Sequence, residues 1–279
     1  MRISTLAVIA AACWGASAAG AATLDATYVF NGSLNAQESG APPLTATNPL
    51  GTNSFSTDTV FGGAHTVYEF NSDSSNNAGL TFDDASSLIS PSSYSVEMVF
   101  ELSSATGLGS GSGWRRLVDS QDRSSDDGLY VDPNNNFDIY PNGAGTATFS
   151  TGTYFDMILT DDGTTASVYV NGVLDFSEAA QGAGLNQMNL NNANNPGQLL
   201  NLFLDNTVGG GQGEFSGGKI ALLEAFNGVL SASDAATLSA SPFANVPPSV
   251  GTPEPGTWLL LSIGGGLLVI GRQRRRGRP

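Results

Sequence analysis

Residues 154–176 read YFDMILTDDGTTASVYVNGVLDF. Three short apolar runs, 154–160, 166–170 and 173–176, are separated by Asp162-Gly163 and Asn171-Gly172. Asp-Gly and Asn-Gly supply the positive φ angles that two-residue hairpin turns demand, so each pair predicts a tight reversal between strands. The stretch is predicted to be a three-strand antiparallel meander, and its surroundings are therefore predicted to be all-β.

The flanking sequence agrees. Along residues 94–102, Val96, Met98, Phe100 and Leu102 share one face while Glu97, Val99 and Glu101 share the other, as in a strand half-buried against a second sheet. Glu97 and Glu101 are accordingly expected on a solvated face. Further apolar runs at 28–30, 66–70, 79–82, 114–118, 129–131, 137–140, 199–204 and 219–226 recur about every ten residues between Gly, Asn, Ser, Thr and Asp, the pattern of a β-sandwich or barrel. Residues 31–53 read as a polar loop, and Asp132-Pro133-Asn134-Asn135-Asn136 as a turn. A helical pattern appears only after residue 230, where Ser231 and Asp234 form a capping box for a short helix through Ala240. One domain is expected over 23–243, then a Pro/Ser-rich linker over 244–252.

The order of these elements resembles the laminin G-like, or concanavalin A-like, jelly roll. The resemblance is carried by Tyr94-Ser95-Val96-Glu97, by Val168-Tyr169-Val170-Asn171-Gly172, and by the closing block Phe215-Ser216-Gly217-Gly218-Lys219-Ile220 with Phe226-Asn227-Gly228-Val229-Leu230-Ser231. It implies a lectin-like or adhesive module more often than an enzyme, and fold alone does not decide between those.

Both ends carry signals. Arg2, a short apolar run from Ile3 to Trp14 and the small residues 16–21 make a secretory signal peptide over 1–22, with cleavage expected after Ala21 or Ala22. The only cysteine, Cys13, lies within it. At the other end, Pro253-Glu254-Pro255 precedes an apolar segment, 258–270, and a basic cluster of Arg272, Arg274, Arg275, Arg276 and Arg278. The apolar segment is shorter than the roughly 20 residues of a stable span, and the arginines are expected to stay cytoplasmic. Residues 253–279 resemble the PEP-CTERM sorting domain of Gram-negative bacteria, which implies processing by an exosortase-type enzyme; an ordinary C-terminal membrane anchor is the alternative. Either places the body outside the cytoplasm.

Without these segments the body keeps four basic residues, Arg115, Arg116, Arg123 and Lys219, against 24 of the 25 acidic ones, a net charge of about −20. That balance disfavours nucleic acid, which needs basic surface, and suits polar neutral ligands such as sugars, or cations.

Few catalytic sets survive inspection. Gly213 to Lys219 fits a phosphate-loop spacing, but Ile220 replaces the required Ser/Thr and a strand follows. His65 is the only histidine and the body has no cysteine, which excludes a Cys-His nucleophile and a conventional zinc site; His65 reads as a loop residue. Glu97 and Glu101 have the spacing of the paired glutamates of family 16 glycoside hydrolases, but Val99 stands where that family has an aspartate. The acidic run Asp119, Asp122, Asp126 and Asp127, with Asp132 and Asp205, offers oxygen ligands of the kind calcium takes, and laminin G-like domains often hold calcium at the sandwich rim; a solvated acidic loop is the other reading. Trp114 is the candidate sugar platform, among the aromatics Tyr130, Tyr140 and Tyr154, or else a core residue. The expected function is a non-enzymatic exopolysaccharide-associated binding module; an acidic matrix protein without a ligand site and a jelly-roll glycosidase are the alternatives.

Overall fold

The computed structural model describes residues 22–179, 187–208 and 211–246. The signal-peptide reading apart from Ala22, the sorting motif Pro253-Glu254-Pro255 and the arginines from Arg272 to Arg278 lie outside the described residues. One compact unit ends at Ala244 and holds every element below; of the second unit, only Asn245 and Val246 are described.

In chain order the strands are β1 (Thr23–Tyr28), β2 (Thr45–Thr47), β3 (Ser54–Val60), β4 (Gly63–Phe70), β5 (Gly79–Asp83), β6 (Tyr94–Leu102), β7 (Arg115–Asp119) and β8 (Gly128–Val131). They continue as β9 (Asn136–Tyr140), β10 (Gly143–Thr148), β11 (Phe155–Asp161), β12 (Thr165–Val170), β13 (Val173–Ala179), β14 (Leu199–Leu202) and β15 (Gly218–Asn227), before helix α1 (Ala232–Ala240). The predicted meander is β11–β12–β13, with Gly163 and Gly172 at φ +87° and +80° in its turns.

Two antiparallel sheets face each other in a jelly-roll-like sandwich. The first runs β13-β12-β11-β6-β15-β4-β3, with β1 also paired to β15; the second runs β10-β9-β8-β7-β14-β5-β2. β15 is long enough to serve two partners on one edge, pairing Gly218–Ile220 with β4 and Leu223–Asn227 with β1. Val96, Met98, Phe100 and Leu102 point into the core as expected. Phe203 stacks on Phe70 with centroids 4.2 Å apart and tilts against Phe100 at 5.5 Å, joining the two inner faces.

Two expectations are corrected. Residues 31–53 include β2, and β3 and β10 also escape hydropathy because they are polar or small-residue strands at or near sheet edges, largely exposed. Glu97 and Glu101 are not solvated: Glu97 is fully buried and Glu101 is 8% exposed. The outer face of the first sheet is itself covered, because Ala235 and Leu238 of α1 pack with Ile158, Tyr169, Phe226 and Leu230. The helix begins with the predicted capping box, the Ser231 hydroxyl accepting the Asp234 N–H and the Asp234 carboxylate accepting the Ser231 N–H.

Candidate functional site

Strand alternation decides what the outer face of the second sheet presents. Leu117, Leu129, Val131, Phe137 and Ile139 point into the core, which turns Arg116, Tyr130 and Tyr140 outward. Trp114, two residues before Arg116, joins them. Its ring lies edge-to-face against Tyr130 (centroids 5.5 Å) and Tyr140 (5.4 Å), and those two meet at 6.3 Å. Trp114 is half-buried, Tyr140 is exposed at the lip and Tyr130 is buried below. The fourth candidate aromatic, Tyr154, lies elsewhere, its hydroxyl donating to Asp58 on β3.

Arg116 organises the floor. Its guanidinium carbon is 4.7 Å from the Tyr130 ring centre, Nε donates to the Tyr130 hydroxyl at 2.6 Å, and Nη1 forms a fully buried ion pair with Asp119. The other Asp119 oxygen accepts the N–H groups of Gln121 and Arg123 and the side-chain amide of Asn201. Burial pushes the Asp119 carboxyl up, against the pull of Arg116 and these donors. Asp126 accepts from Asn206 Nδ2 at 2.9 Å and the Tyr130 hydroxyl at 3.2 Å, with Arg116 3.7 Å away. Asp122 is exposed in a left-handed turn conformation, and Asp127 donates its N–H to Ser125 Oγ.

The four aspartates therefore do not converge, and calcium does not fit them. Asp119 and Asp126 are engaged by the protein's own cation and N–H donors. Among the described residues no group of three Asp, Glu, His or Cys side chains is placed to hold a metal. The acidic run is the scaffold of a loop folded around Arg116.

Three residues of the cleft were not legible as site residues: Gln212, Glu214 and the buried Arg116. The first two come from the glycine-rich loop before β15. There Asp205 Oδ2 accepts the N–H groups of Gln212, Gly213 and Glu214 at 2.7–3.1 Å, fixing the loop over the aromatic group. Gly213 is required: φ is +79°, and a Cβ there would sit 2.4 Å from the Gly109 carbonyl carbon. Gln212 and Glu214 complete, with Asp126 and the three rings, a cavity of about 100 Å³. Burial, with Asp126 and Asp205 nearby, pushes the Glu214 carboxyl up to about 7 against the opposing pull of Arg116. Near neutral pH it can therefore donate a hydrogen bond as well as accept one.

On the other sheet, the Glu97–Glu101 pair forms no open site. Glu101 faces Lys219 at 3.4 Å, and Lys219 also bonds Asp58 at 2.6 Å. Lys219 thus belongs to a strand, as expected, and not to a phosphate loop. His65 is on β4 instead of in a loop, its ring stacked on Phe243 at 3.7 Å.

No family model and no curated protein sequence matches the chain. Solved structures do match in fold. Domain 4 of AbnA, a GH43 extracellular arabinanase from Geobacillus stearothermophilus, seen in complex with arabinotriose, superposes with a TM-score of 0.54 at 19% identity, over 78% of this chain and 99% of that one. A botulinum neurotoxin type C structure, from work on cell entry through two ganglioside molecules, gives 0.54 at 11% identity over 79% of this chain. The binding domain of Paraclostridial Mosquitocidal Protein 1 gives 0.52 at 12% over 79%. This chain spans about half the length of those two toxin chains.

Proposed function

We propose that this protein is an exported, non-enzymatic glycan-binding module of the laminin G-like, concanavalin A-like kind, acting on cell-envelope or extracellular polysaccharide. The observation that carries the reading is the aromatic group Trp114, Tyr130 and Tyr140 opening beside Gln212 and Glu214. Sugars offer C–H faces to rings and hydroxyls to amide and carboxyl groups, and a fixed aromatic wall with a few convergent polar groups serves both. Two fold neighbours lend support by what their names state: one was seen with arabinotriose, another belongs to a ganglioside-dependent toxin.

Export completes the proposal. Residues 1–22 direct secretion, and residues 253–279 hold the chain in the inner membrane, C-terminus in the cytoplasm, until an exosortase-type enzyme releases the body to the outer envelope or medium. The test has two parts. Mass spectrometry of the exported protein should find a new N-terminus near Thr23 and loss of the arginine tail; an intact tail defeats the processing step. A glycan array should give hits that Trp114→Ala weakens at least tenfold with unchanged thermal stability. An array blank for the wild type defeats the binding reading.

A further inference from the structure

We propose that the site continues past Gln212 into a second subsite that takes a carboxylate-bearing sugar, a uronic acid, with Arg123 gripping the carboxylate. This rests on the glycan-binding reading and names the ligand class.

The first argument is size. The aromatic cavity, about 100 Å³, is below the roughly 300–1,000 Å³ of small-molecule sites. A second cavity of about 410 Å³ falls inside that range. Gln212 lines both, and the hydrogen bond from Asn206 to Asp126 joins the wall of one to the wall of the other. A saccharide seated against Trp114 and longer than one ring has this larger space next to it, across Gln212.

The second argument is what lines that space. Arg123 is half-buried, and its guanidinium makes one hydrogen bond among the described residues, Nε to the Asp205 carbonyl at 2.6 Å. Of the four described basic residues, Arg115 and Arg116 are buried and Lys219 is ion-paired to Asp58. Among the described residues, Arg123 alone is both partly exposed and without a carboxylate within 4.0 Å. Its backbone is pinned, the N–H bonded to Asp119 and the carbonyl accepting from Thr207, at φ +59°. The one carboxylate on the cavity wall, Asp205, is turned to its own loop, taking three N–H groups on Oδ2 and the Asn206 N–H on Oδ1. Asn77 also lines this cavity.

A guanidinium fork with free terminal N–H groups matches a carboxylate in both geometry and charge. The body's net negative charge is screened over about 8 Å at physiological salt, whereas Asp119, Asp205 and Asp122 act on Arg123 at short range, so the guanidinium–carboxylate contact has to outweigh them.

The test is calorimetry on the full chain with trigalacturonate, trimannuronate and a hyaluronan tetrasaccharide, each beside its methyl ester, which keeps the ring and removes the charge. At least one acid is expected to bind tenfold or more tightly than its ester. Arg123→Gln should erase that preference while the ester still binds, and Arg123→Lys should restore part of it. Equal binding of acid and ester by the wild type, with Trp114→Ala abolishing both, overturns the uronate subsite and leaves the glycan reading intact. An acid preference that persists in folded Arg123→Gln also overturns it. Failure of every oligosaccharide, charged or not, to bind the wild type overturns both.

Discussion

Glu97 on β6 and Glu224 on β15 are register partners at the centre of the eight-stranded sheet, and both are wholly buried. Asp156 on β11 joins them from the other side, itself 1% exposed, with Ser239 of α1 beside it. Burial pushes Glu97 up strongly, and the charges of Asp156 and Glu224 push it further; burial also raises Asp156. The same sign holds at Asp84 and Asp138, each raised from 3.8 to about 6, chiefly by burial.

A carboxyl whose folded pKa is raised holds its proton longer in the native state. Its contribution to stability is complete below the unfolded carboxylate range and is lost as pH rises through the folded value. The melting temperature is therefore expected to fall as pH rises from about 5 to about 9, in the same direction as the growing self-repulsion of a strongly acidic chain. Glu97→Gln, which keeps the shape and removes the charge, should flatten that fall. Melting curves across this range decide it; a flat or rising wild-type profile contradicts the assignment.

Arg116 balances a buried carboxylate, so Arg116→Ala leaves Asp119 charged and unpaired. Breaking a buried pair in this way costs about 3–5 kcal/mol, to be read as a shift in the denaturant midpoint. Because Arg116 also lies against Tyr130, any folded variant should lose glycan binding as well. A loss under about 1 kcal/mol would mean the pair contributes little net stability.

Gly213→Ala tests the loop contact. The added Cβ meets the backbone of Gly109 and Ser110 at 2.4 Å, in a conformation L-residues rarely adopt. The two glycine-rich loops must part, displacing Gln212 and Glu214 from the rings. A destabilisation of about 1–3 kcal/mol is expected, together with a loss of binding larger than that destabilisation explains. Unchanged binding would show that the loop is dispensable.

Calcium at millimolar concentration should leave the melting temperature unchanged, since ligands that bind only the native state raise it, Asp119 and Asp126 are engaged by Arg116 and by N–H donors, and no three acidic side chains among the described residues are grouped to hold a metal. A rise of several degrees would require that loop to refold around the ion.

The meander, the inward face of β6 and the capped helix were legible because each is a local pattern: a glycine pair that permits a turn, an alternation of period two, a serine with an aspartate three residues on. β2, β3 and β10 were not, since polar and small-residue strands at or near sheet edges carry little hydrophobic signal. Trp114, Tyr130 and Tyr140 could be named as candidate aromatics from the sequence, but no spacing brings 114, 130 and 140 together. That takes two antiparallel pairings, the first of them bulged, in which Arg116 lies opposite Tyr130 and Gly128 opposite Tyr140.

By itself the sequence determined the all-β class, the acidity of the body and the lack of any histidine or cysteine cluster, because these depend on composition and on neighbours along the chain. Tertiary structure decided what each charge is for. Asp119 and Glu97 look alike as exposed acids in the sequence. Only the packing shows that one is neutralised by Arg116 beneath a ring while the other is shut under α1 among carboxylates, and desolvation, which depends on what covers a group in space, separates their roles.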